Sequence, residues 1–181
     1  MTREDRLRDV LQLCGSFARN LAYYRVGWSE EHKHLLSFDN DDFWRAVNSN
    51  CLDISVLDWC KLFADKKGEY YWKNIVTDAV SFKAGLLLHL GLNEEAFNQQ
   101  VNSIREYRDK WVAHWDLNRV PVAPVLEVPK KAVWFYQPYI SKHELVGVAW
   151  DINSAYEHFE CEANVVYRTG AWSQSRRKSG V

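Results

Sequence analysis

The feature that most restricts the fold is a recurring three- and four-residue spacing of apolar side chains. Between about Asp5 and Trp28, Leu7, Val10, Leu11, Cys14, Phe17, Ala18, Leu21 and Tyr24 share one stripe of a helix. The charged residues Arg6, Arg8, Asp9 and Arg19 lie off that stripe. Thr2 or Asp5 is placed to cap this helix and Gly27 to end it. A helix with one apolar stripe must bury it against other elements, so the rest of the chain has to supply them.

It supplies more helices. A second is predicted from Asn40–Asp42 through Phe43, Ala46, Val47, Cys51, Ile54, Leu57 and Cys60 to Phe63, with a break at Asn48–Asn50 left open. Asp65 to Glu69 reads as a charged turn around Gly68. A third helix is expected over Tyr70–Leu90, closed by Gly91 as its left-handed C-terminal residue. Asn93 caps a fourth, whose first turn carries Glu94 and Glu95 where the helix dipole favours acids. Pro121, Pro124 and Pro129 impose an irregular connector, after which Val133–Ile140 reads equally as a short strand or a helix start. A last helix is expected over His143–Val166. The expectation is an all-α bundle of about five helices. Residues 1–169 form the domain, and residues 170–181, with Arg176, Arg177 and Lys178, form a flexible basic tail.

Composition narrows the function classes. A 47% hydrophobic and 26% charged chain of 181 residues is an ordinary globular domain rather than a disordered one. The formal net charge of -1 argues against a general electrostatic grip on nucleic acid, although a basic cleft can hide inside balanced totals. Cys14, Cys51, Cys60 and Cys161 form no CxxC pair, which speaks for buried thiols and against a zinc module. Most of the nine tryptophans are read as core. The longest apolar run, Ala84–Leu90, is too short to span a bilayer, and the first residues contain no secretory segment. The expectations are a cytoplasmic protein, no membrane association, no cofactor and no metal. GxxxxGK[ST], GxSxG and HExxH are absent.

One segment concentrates chemistry: Arg105-Glu-Tyr-Arg-Asp-Lys-Trp-Val-Ala-His-Trp-Asp116. It continues the stripe Phe97, Val101, Ile104, Arg108, Trp111 and Trp115, so an arginine stands in the middle of an apolar row. Arg108, Asp109 and, after five intervening residues, His114 resemble the R-x4-6-H signature of HEPN domains. Ala113 before His114 and Asp116 after it resemble the abortive-infection AbiU-type branch. A long motif helix preceded by other helices also resembles the HEPN bundle.

The resemblance implies metal-independent RNA cleavage, in which a ribose 2′-hydroxyl attacks the adjacent phosphate. His114 suits proton transfer because its ordinary pKa lies near neutrality. Arg108 suits stabilisation of the phosphorane charge because its fork binds phosphate oxygens in pairs. Asp109 would hold Arg108 or the partner's motif in place, or meet the ribose. Asp116 would orient His114, and Arg105, Lys110 and Arg119 would contact neighbouring phosphates. On a regular helix Arg108 and His114 stand about 120° and about 9 Å apart, too far for one chain to pinch a phosphate. A two-fold contact brings the patch twice, so a homodimer is expected, as the resemblance implies. RNA and an antitoxin-like protein are the other expected partners.

Structural alternatives stand beside this reading. Arg108 can be a structural arginine paired with Asp53, Asp58 or Asp78, His114 can serve a helix C-terminus, and Asp116 can open a turn. The whole can then be a non-catalytic interaction module. His32 and His34, with Glu30 and Glu31, read as a solvated loop, His89 as a core histidine, and Asp41–Asp42 as a helix cap.

Overall fold

The computed structural model describes residues 1–37, 42–112, 122–145, 147 and 150–178, with side chains as far as 170. Among the described residues there are no strands, and seven α-helices carry the fold. They are α1 (Arg3–Gly27), α2 (Asp42–Phe63), α3 (Trp72–Ile75), α4 (Ala79–Leu90), α5 (Glu94–Tyr107), α6 (Glu127–Tyr139) and α7 (Ile152–Lys178). A 3-10 turn spans Lys33–Leu36, and π-helical turns follow α5 at Arg108–Val112 and α6 at Ile140–Glu144. No helix among these residues is long and apolar enough to cross a membrane.

The all-α expectation holds, but the count of five does not, and each extra element has a local cause. The expected third helix is two. Asp78 Oδ1 accepts from the backbone N–H of Val80 and Ser81, at 3.1 and 2.9 Å, and so starts α4 afresh. Val76 before it is extended. The stretch Val133–Ile140 is helix, inside α6 and its π turn. Pro129 lies in the first turn of α6, where a backbone N–H has no intrahelical partner to lose. Pro138 lies near its end, where the missing N–H breaks the regular ladder and the chain widens into π winding. The Leu145 N–H, bonding to the Ile140 carbonyl at 2.9 Å, closes that turn.

The last helix starts later and ends later than expected. Asp151 Oδ2 accepts from the Ser154 N–H at 2.9 Å, and the helical backbone then runs through the expected tail as far as Lys178. α2 shows no break at Asn48–Asn50 because Asn48 faces inward, donating to the Tyr24 carbonyl and the Tyr167 hydroxyl at 3.0 Å each. Other ends are where local signals place them. Thr2 and Asp5 form a reciprocal capping box, Asn93 caps α5, and Gly91 takes φ 65° after α4. Gly27 differs from expectation: it lies within α1, not past it. Its role is close approach, since a Cβ there would stand 2.2 Å from Asn48 Nδ2 and 2.5 Å from the Tyr167 hydroxyl.

α1 is the central helix and packs mainly on α2 and α7. Its stripe, including Val10, Cys14, Phe17, Ala18 and Leu21, is fully buried. Each such large side chain contributes about 1.5–3 kcal/mol by leaving water. Phe82 of α4 makes a second centre, with its ring against Trp72, Phe135, Tyr136 and Tyr139 at centroid distances of 4.8 to 5.4 Å. The tryptophans meet the expectation in part: Trp59 and Trp72 are in the core, and Trp44, Trp134 and Trp150 pack against it. Of the seven whose side chains are described, only Trp59 and Trp72 are buried, Trp28 is exposed, and the remaining four lie half-buried around the core.

Candidate functional site

The site grows from the end of α5. Asn93 Oδ1 accepts from the Ala96 N–H at 2.8 Å and begins a helix that buries Phe97, Val101 and Ile104. The next residue of that stripe is Arg108, which opens the π turn. There the ladder shifts from i→i+4 to i→i+5 bonds and the helix winds more slowly. The regular-helix premise behind the 120° separation is therefore not met between Arg108 and Val112. His114, Asp116 and Arg119 lie outside the described residues.

The Arg108 side chain is only 16% exposed and lies between two carboxylates. Nη1 donates to Asp65 Oδ1, while Nε donates to Asp109 Oδ1 at 2.8 Å and Nη2 stands 2.8 Å from the same oxygen. Burial works against its charge, but the hydrogen bonds to Asp65 and Asp109 outweigh burial and hold the guanidinium above its ordinary pKa. Each terminal nitrogen keeps a second hydrogen that these contacts do not use. The Cys60 thiol behind it is pushed up to about 12 by burial, which Arg108 partly offsets, so Cys60 is no nucleophile at neutral pH.

None of the expected structural partners of Arg108, Asp53, Asp58 and Asp78, contacts it. Asp53 accepts from the Tyr107 hydroxyl at 3.2 Å, Asp58 faces Lys61 at 3.4 Å, and Asp78 caps α4. The partner is Asp65, read from sequence only as part of a turn. No spacing signal links residues 43 positions apart.

The neighbouring cations are also engaged. Arg105 Nε lies 3.6 Å from Asp109 Oδ2, one helical turn on, and Lys110 pairs with Glu106. Both are solvent-facing pairs of the kind that exchange readily. Asp109 thus ties Arg105 and Arg108 together. The described part of the motif carries three cations, Arg105, Arg108 and Lys110, each paired with a carboxylate, and Arg105 and Arg108 share Asp109.

Other candidates from sequence fall elsewhere. His32 is not in a solvated loop. It is 1% exposed, stacked on Tyr167 at 5.5 Å and 3.0 Å from Asn164 Oδ1, so it anchors the loop after α1 onto α7. His89 is not a core residue but lies exposed beside Phe135. Asp42 begins α2 and pairs with Arg45, and Asp41 lies outside the described residues. Among the described residues no group of three or more His, Cys, Asp or Glu side chains is arranged to hold a metal ion.

Comparison with protein-family models, characterised proteins and solved structures returns no match to this chain.

Proposed function

We propose that this chain is an RNA-targeting protein of HEPN type, acting as a metal-independent endoribonuclease in a phage-defence or toxin–antitoxin setting. The observation that carries the reading is Arg108: a cation on the apolar stripe, paired with two carboxylates, inside the string Arg108-Asp109…Ala113-His114-x-Asp116. The π turn that begins at Arg108 also supports it, since such turns recur at functional sites. In this reading Arg108 neutralises charge on the transferring phosphorus and His114 moves the proton of the 2′-hydroxyl. Asp109 positions Arg108, Asp116 orients His114, and Arg105, Lys110 and Arg119 hold flanking phosphates. Two copies of the chain meet at the motif helices to complete the site.

Incubation of the protein with varied RNAs in excess EDTA tests the chemistry. Cleavage should persist with chelator and disappear in His114→Ala. An intact RNA pool after prolonged incubation with the wild-type protein sinks the catalytic claim. A monomeric mass in analytical ultracentrifugation sinks the composite site.

A second reading, a non-catalytic interaction module, is favoured by the same double clamp, because an arginine held by Asp65 and Asp109 also suits a structural cross-brace. Under that reading Arg108→Ala lowers the melting temperature or the dimer mass and leaves no RNA phenotype.

A further inference from the structure

We propose that the cleft between α3, α4 and the first half of α5 is a binding site for a small phosphomonoester with an apolar body. It goes beyond RNA cleavage at Arg108 and does not depend on it. The cleft measures about 310 Å³, at the lower end of the roughly 300–1,000 Å³ range of ligand sites. That size suits one ring and one charged group.

Its floor is apolar, built from Phe63, Trp72 and Phe97. Its rim carries Lys66, Lys73 and Lys83, with Glu94 as the one carboxylate among the lining residues. Three ammonium groups against one carboxylate leave two positive charges in excess, in a chain whose net charge is -1. A phosphomonoester carries about -1.5 to -2 near neutral pH and matches that excess, where a single carboxylate does not.

The arrangement of the cations supports the choice. Lys83 pairs with Glu94. Hydrogen bonding and charge from Lys83, with a smaller contribution from Lys73, hold the Glu94 carboxyl below its usual range. Glu94 is thus the anion that a ligand phosphate would compete with for Lys83. Lys73 Nζ also lies 5.7 Å from the Trp72 ring centroid, which joins the charged rim to the apolar floor. Lys66 has no ion-pair partner among the described residues, and the carboxylate next to it, Asp65, is taken by Arg108.

Isothermal titration of the full chain with phenyl phosphate, at low salt, tests the site. Phenyl phosphate should bind more tightly than inorganic phosphate, and benzyl alcohol should not bind. Lys73→Gln and Lys83→Gln should each weaken binding about tenfold. Glu94→Gln should strengthen it several-fold by removing the internal competitor, an effect that a merely structural Glu94 would not produce. Melting curves check that the variants fold. Should Lys83→Gln loosen the α4–α5 contact, Lys66→Gln, whose side chain makes no ion pair among the described residues, gives the same reading by weakening binding. The proposal is overturned by an absence of heat with phenyl phosphate. Inorganic phosphate binding as tightly overturns it too, as does a mononucleotide binding where phenyl phosphate does not. A dissociation constant within about twofold of wild type in the Lys73→Gln/Lys83→Gln double variant has the same force.

Discussion

Replacing Asp65 by Asn should loosen the Arg108 turn without unfolding the protein. The size of the effect follows from exposure: the Arg108 side chain is 16% exposed and that of Asp65 is 36%. A solvent-exposed pair contributes about 0.2–1 kcal/mol, and removing one partner of a fully buried pair costs about 3–5 kcal/mol. This pair lies between those limits, nearer the exposed one because Asp65 meets water. Arg108 also keeps its second carboxylate, Asp109, after the change. Asp65→Asn should therefore cost about 1–2 kcal/mol, which lowers the melting temperature by roughly 2–4 °C per kcal/mol in a chain of this size. The assay is urea unfolding of wild type, Asp65→Asn, Arg108→Gln and the double variant, with the slope against urea compared across all four. The single changes should not add, and the coupling energy should reach about 1 kcal/mol. Additivity within about 0.3 kcal/mol would refute the argument, because it would mean that Asp65 does not hold Arg108 in solution.

Two further outcomes are expected. Gly27→Ala should destabilise by about 1–3 kcal/mol in the same unfolding assay, because its Cβ would press on Asn48 and Tyr167 where α1, α2 and α7 meet. Unchanged stability would show that this junction has slack. The Glu144 side chain, only 3% exposed, accepts from the Thr77 N–H and hydroxyl at 2.7 Å each and from Arg3 at 2.5 Å. Burial alone would raise its pKa, but these bonds outweigh burial and lower it from its ordinary 4.5. Its stabilisation is thus complete above about pH 4.5 and is lost as the pH falls through the folded-state value. Glu144→Gln should cost about 1.5–3 kcal/mol at pH 7, with the gap to wild type closing on acidification. A gap independent of pH would remove the carboxylate from the account.

The lysine-rimmed cleft and the Arg108 turn meet at one loop. Asp65 is tied to Arg108, and the next residue, Lys66, faces the cleft. Two neighbouring residues of the turn after α2 therefore divide their charges, Asp65 facing Arg108 and Lys66 the cleft. That division explains how a chain with balanced totals concentrates positive charge locally.

The amino-acid sequence by itself determined the helical class, the buried stripe of α1 and the caps at Thr2, Asn93 and Gly91. It also set the row that places Arg108 after Ile104. These depend on interactions within about one helical turn, where spacing and side-chain type suffice. Only the tertiary structure decided that Arg108 pairs with Asp65 and not with Asp53, Asp58 or Asp78. It likewise buried His32 against Tyr167, set Gly27 against Asn48, and gathered Lys66, Lys73 and Lys83 on one rim. An ion-pair partner or a buried imidazole is chosen by which surfaces pack together, and packing joins residues far apart along the chain. Local pattern carries no record of that choice. The helix break at Asp78 falls between the two cases. Its capping bonds are local, yet the extended residues before it are held by Glu144 from the π turn after α6.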